Sequence, residues 1–109
     1  MGNENPVLDW LEEHGVESCV FEPYEIGKSY YFRCAVYSVV GRVVAYSMSA
    51  KVIKLENASY VGTDGRYGDA VRNGFGENAE LEYVDEQFVN IDAICDFVPY
   101  KHELPTKDQ

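Results

Sequence analysis

Residues 88–97, Phe-Val-Asn-Ile-Asp-Ala-Ile-Cys-Asp-Phe, alternate in character along their whole length. Val89, Ile91, Ala93, Cys95 and Phe97 take every second position, with Asn90, Asp92, Ile94 and Asp96 between them. A repeat of two puts successive side chains on opposite faces of an extended chain, whereas a helix of 3.6 residues per turn cannot gather them. The run therefore predicts a β-strand with those five side chains turned to a core.

The same texture begins at Ser29. "SYYFRCAVYSV" is rich in aromatic and β-branched residues and predicts one long strand. Val40-Gly41-Arg42 supplies a tight turn, "RVVAYSMS" a second strand, "KVIKLENASYV" a third and "AELEYV" a fourth. Between the third and fourth, "GDAVRNG" predicts about two helical turns ending at Gly74. Ahead of the strands, Asn5 caps a short helix with Pro6 at its first position, Trp10 as its anchor and Gly15 as its stop. The tail "HELPTKDQ" reads as loose. At 109 residues the chain forms one domain: an acidic helix-bearing segment over 1–27, a β core over 28–99 and a tail over 100–109. A helix followed by five antiparallel strands is the element order of a small Sm-like barrel, with a Gly-rich loop and short helix between strands three and four. An open α+β sheet with the helix over one face uses the same elements.

Charge divides the chain more usefully than its total of −10. Residues 1–27 carry −7, residues 28–76 carry +4, and residues 77–109 carry −7. A basic middle between acidic ends speaks against direct nucleic-acid binding. No apolar run approaches the length of a membrane span, and the N-terminus has no secretory pattern. Cys19, Cys34 and Cys95 are far apart and without Cys-x-x-Cys spacing, which fits a reducing cytoplasm. A zinc site would have to gather His14, Cys19 and His102 with a further ligand, so no metal or cofactor is expected.

"YYFRCAVYSVVGRVVA", "KLENASYVGTDGRYGDAVRNG" and "IDAICDFVPYKHELP" resemble a family of small uncharacterised proteins carried by bacteriophages and prophages. The matching positions are Gly41 to Val44, Leu55 to Tyr60, Gly65 to Tyr67, Gly74, Asp92-Ala93 and His102 to Pro105, within about residues 28–105. The resemblance implies a phage origin and a compact β fold. It implies no activity and no catalytic residues.

One stretch stands apart. Residues 59–78, "SYVGTDGRYGDAVRNGFGEN", hold five of the nine glycines with two arginines and two tyrosines. Gly62, Gly65 and Gly68 permit close backbone approach, so that N–H groups could form an anion nest. Arg66 and Arg72 could clamp a phosphate while Tyr60 or Tyr67 stacks on a base. Tyr60, Gly62, Gly65, Arg66, Tyr67 and Arg72 are thus the candidate ligand-binding residues. The competing reading is a structural loop in which Arg66 binds Asp64, Asp69 or backbone carbonyls. Glu12, Glu13, Glu17, Glu80, Glu82, Asp85 and Glu86 are candidate protein-interaction residues, an acidic array for a basic partner.

No Ser-His-Asp or Cys-His spacing supports catalysis, and no enzyme is expected. The expectation is a phage-derived binding protein of the host cytoplasm that occludes a host (defence) protein or sequesters a nucleotide-like ligand. The alternative is a virion assembly protein forming an oligomeric ring. Homo-oligomerisation is expected on either reading, because charge is segregated and Tyr30, Tyr31, Phe32, Tyr37 and Tyr46 outnumber what a small barrel needs inside.

Overall fold

A computed structural model describes residues 23–109. Five strands follow in order: β1 (Ser29–Cys34), β2 (Ser38–Ser47), β3 (Val52–Thr63), β4 (Glu80–Asn90) and β5 (Ile94–Pro99), with helix α1 (Tyr67–Asn73) between β3 and β4. All pairings are antiparallel and the sheet order is β4-β3-β2-β1-β5. The five expected strands and the short helix are present. No ladder joins β4 to β5, so the sheet is not closed, where a closed or nearly closed barrel was expected and an open sheet was the alternative.

The sheet nevertheless curls. β4 and β5 are its two outermost strands, yet only the 3₁₀ turn Ile91–Ala93 separates them. Four residue steps span at most about 14 Å, so the two edges must approach at that end. This turn corrects the strand expected over 88–97. Its first half ends β4, Asn90 then accepts a hydrogen bond from the Asp92 amide, and β5 starts at Ile94. Val89 is fully buried, and Ile91, Ile94 and Phe97 pack partly against the core, whereas Cys95 is exposed. The expected face of five alternating residues is therefore not formed: the core takes Val89, Ile91, Ile94 and Phe97, and the 3₁₀ turn shifts the second half out of step with the first.

Two further expectations fail for local reasons. The long first strand is a hairpin, broken at residues 35–37, where the Cys34 amide donates to the Tyr37 carbonyl at 2.9 Å. No Gly, Pro or Asn marks that turn, and Val36 stands out into solvent. Gly41 is no turn residue but lies inside β2. A Cβ there would meet the Ala58 Cβ at 3.1 Å and the Leu55 Cβ at 3.2 Å, so glycine lets β2 press against β3 at a register shift.

Both faces of the sheet are covered. Tyr30, Phe32, Val39, Val43, Ile53, Leu55, Ala58 and Val89 fill the inner face, closed by Tyr24 from the segment before β1. Tyr31, Val40, Val61 and Leu81 form the opposite face, covered by Tyr67 and Val71 of α1, by Phe75, and by Tyr100 and Leu104. Two apolar faces explain the aromatic richness without a neighbouring subunit: Tyr30, Tyr31 and Phe32 are buried, and Tyr37 and Tyr46 pack against the inner cluster. They also place the tail. Residues 100–109, of which 102–109 were expected to be loose, dock on the outer face through Tyr100, through His102 bonded to the Val71 carbonyl at 2.9 Å, and through the Ser59 hydroxyl donating to the Pro105 carbonyl at 3.2 Å. The expected helix with Trp10, together with Glu12, Glu13, Glu17 and Cys19, lies outside the described residues.

Candidate functional site

The Gly-rich loop leaves β3 at Thr63. Asp64 accepts from the buried Tyr31 hydroxyl at 3.0 Å, and the Gly65 amide, at a φ of 75°, donates to Thr63 Oγ1 at 3.2 Å. The Tyr31 phenol is held well above its ordinary range, first by burial and then by the Asp64 carboxylate. Arg66 precedes α1, and its carbonyl accepts from the Ala70 amide at 3.0 Å. Its guanidinium is exposed and makes no ion pair among the described residues. Neither Asp64 nor Asp69 takes it: Asp64 is bound to Tyr31, and Asp69 pairs with Arg72 at 3.0 Å. The Arg72 guanidinium lies over Gly68, where a Cβ would come within 2.9 Å of Nη1.

The six candidate ligand residues do not converge. Gly65 and Arg66 line a groove of about 560 Å³ together with Asp64, Asp69, Asn73 and Glu77. Arg72 is committed to Asp69. Tyr67 lies beneath the Arg33 guanidinium, 3.9 Å from its ring centre, and Tyr60 stacks on Tyr37 with centroids 6.2 Å apart. Gly62 sits against Glu80. Asp64 and Glu77 line the groove with the one unpaired guanidinium, Asp69 is already balanced by Arg72, and a like charge repels a phosphate as strongly as an opposite one at the same distance attracts it. The loop offers poor chemistry for an anion.

Sequence reasoning missed the Arg33 cluster. Arg33 of β1 binds Asp96 of β5 through two hydrogen bonds, of 2.7 and 2.5 Å, while it covers Tyr67 of α1. The pairing raises the guanidinium pKa and lowers that of Asp96. The three residues are 34 and 29 positions apart along the chain, and only the order β2-β1-β5 brings them together. No spacing rule could have found them.

The described acidic candidates behave differently, for all four fall on one strand. Glu80, Glu82, Asp85 and Glu86 are exposed residues of β4, at the edge of the sheet. Glu86 lies 3.6 Å from Lys54, and Asp85 accepts from the Tyr83 hydroxyl at 3.0 Å. Glu80 and Glu82 make no ion pair among the described residues. Val84, 39% exposed, and Tyr60, 38% exposed, stand beside them as apolar neighbours. β4 changes its facing within this stretch. Asp85 at a φ of 65° and Asn57 of β3 at 49° form bulges, and the Tyr83 hydroxyl lies within hydrogen-bond reach of both side chains. Leu81 is therefore buried on one face of the sheet and Val89 on the other.

Among the described residues no group of three His, Cys, Asp or Glu could hold a metal ion, Cys34 and Cys95 are free thiols, and no helix is long and apolar enough to cross a membrane. No family model matches the chain, and no curated protein matches its sequence. Among solved structures it is similar to a heptameric archaeal Sm protein discussed for its implications for the eukaryotic snRNP core. The identity is 13%, the match covers 68% of this chain and 87% of that one, and the TM-score is 0.46.

Proposed function

We propose that the chain is a non-enzymatic, phage-derived protein of the host cytoplasm that works by occluding a basic surface on a host protein. The supporting observation is the edge strand β4, which presents Glu80, Glu82, Asp85 and Glu86 together with exposed Val84. Glu80 and Glu82 stand on one side of this edge and Glu86 on the other, beyond the bulge at Asp85, and carboxylates on both sides of an edge strand steer a cationic partner toward it and disfavour nucleic acid. Of the two modes considered from sequence, this one is favoured over sequestering a nucleotide, because the Gly-rich groove sets Asp64 and Glu77 against Arg66, while Arg72 is already taken by Asp69. Self-association into a ring, as in a virion assembly protein, is the second reading. Its support is the pair of sheet edges, β4 and β5, that do not pair with each other.

The test is a comparison of partners captured by the wild type and by a variant carrying Glu80→Gln, Glu82→Gln, Asp85→Asn and Glu86→Gln. A second variant, neutralised at Glu25 and Glu103, serves as control. A partner lost only with the β4 variant, and weakened by moderate salt, is the expected result. Equal capture by all three proteins would remove β4 as the binding face.

A further inference from the structure

The outer edge of β4 is already partly paired, by the chain itself. The Leu81 amide donates to the Gln109 carbonyl at 2.9 Å, and the Gln109 amide donates back to the Leu81 carbonyl at 2.8 Å. Such a mutual exchange is the hydrogen-bonded pair of an antiparallel ladder. At the next outward position the Tyr83 amide finds not a backbone carbonyl but Asp108 Oδ1, at 2.8 Å. Gln109 adds its side-chain amide, bonded to the Gly76 and Ala79 carbonyls.

What holds this segment differs from what holds the residues before it. Tyr100 and Leu104 are anchored in the outer-face cluster, and Pro105 is bonded by Ser59. Thr106, Lys107, Asp108 and Gln109 are all exposed and have no large apolar side chain to bury. Few buried contacts and solvent-exposed hydrogen bonds mark the low-stability end of local opening. Release of these four residues from β4 would break hydrogen bonds only, at Leu81, Tyr83, Gly76 and Ala79, and leave the anchor at 100–105 docked.

We propose that residues 106–109 are a displaceable strap over a strand-addition site on β4, and that its release admits the backbone edge of a second copy of the chain. The proposal rests on the self-association reading above and adds its control. An unpaired row of N–H and C=O groups templates pairing with another chain, and folded proteins blunt such rows. Two β4 edges brought together would set Glu80, Glu82, Asp85 and Glu86 against their own copies, so the partner edge is the other unflanked strand, β5. β5 carries one acid, Asp96, and Arg33 already neutralises it. A segment tethered next to its site acts at an effective concentration in the millimolar range, so the strap sets a threshold that a free second copy must exceed.

The experiment measures mass by light scattering from low micromolar to submillimolar protein, with amide hydrogen exchange on the same samples. It uses the full chain, a chain ending at Pro105, and the full-length variant Gln109→Pro, which loses the N–H that donates to Leu81 and the side-chain amide that binds the Gly76 and Ala79 carbonyls. The expected result is association of both altered chains at concentrations at least tenfold below the full chain. Their Leu81 and Tyr83 amides should exchange fast when dilute and slowly once associated. If all three associate at one concentration, with the Gln109 amide still protected in the full chain, the strap is overturned and self-association stands. If none associates at any concentration, the strap and the self-association reading both fall.

Discussion

At the scale of single residues the loop shows how two arginines of similar sequence context acquire different fates. Arg72 is three positions after Asp69 on α1 and is paired, while Arg66, one residue ahead of the helix, points to solvent. Arg66 is the N-cap residue of α1, but its side chain caps no amide, and exposed substitutions that break no cap, core or network stay within about 0.5 kcal/mol. Arg66→Ala is therefore expected to leave the melting temperature unchanged, measured by differential scanning calorimetry. A clear loss would mean that an internal carboxylate holds the guanidinium in solution. Thermal shifts with linear and cyclic nucleotides on the same two proteins bear on the ligand reading, and the acidic groove leads us to expect none. Gly41 teaches the opposite lesson from Gly74. Gly74 closes α1 at a φ of 88° and was readable as a helix stop, whereas Gly41 was misread as a turn. Its reason, room for Ala58 and Leu55, lies on another strand.

Among the elements, the connection from β4 to β5 decides the shape of the molecule. The Asn90 side chain accepts from the Asp92 amide at 2.9 Å and starts the 3₁₀ turn, and the Ile91 amide donates to the Lys51 carbonyl at 2.9 Å, tying the turn to the β2–β3 hairpin. Loss of a side-chain cap costs about 0.5–2 kcal/mol in helices. Asn90→Ala should destabilise by about 1 kcal/mol, seen as a lower denaturation midpoint with an unchanged slope. If position 90 instead lay within one continuous strand, as the alternation suggested, alanine at this exposed site would cost almost nothing. The element types were legible because aromatic and β-branched runs are local signals; the breaks at 35–37 and 91–93 were not, because neither contains a residue that forbids extension.

At the scale of the whole molecule, most of the described aromatic residues lie in the clusters on the two sheet faces, and this gives the protein a pH signature. Burial raises the phenols of Tyr24, Tyr31, Tyr37 and Tyr100. A phenol harder to ionise in the folded state contributes stability that is whole below the ordinary tyrosine value of about 10 and is lost as pH rises through the folded value. Thermal melts should thus fall steeply above about pH 10, and Tyr31→Phe should flatten that fall. A melting temperature that is level across this range would show that the phenols ionise freely and are not enclosed. Asp96 acts in the other direction: its lowered pKa, due to Arg33, gives a contribution present above the ordinary carboxylate range and lost as pH falls through the folded value. Both partners are substantially exposed, so this acid limb is shallow. The sequence by itself determined that the chain is β-rich, that a Gly-rich loop and short helix interrupt it before β4, and that its acids cluster before residue 28 and after residue 76, because propensity, glycine placement and charge act over a few neighbouring residues. Tertiary structure alone decided that the sheet curls without closing, that Arg33 joins Asp96 and Tyr67, and that residues 106–109 lie on the edge of β4. Each of those depends on which strands become neighbours, a matter of long-range packing that no short stretch of sequence contains.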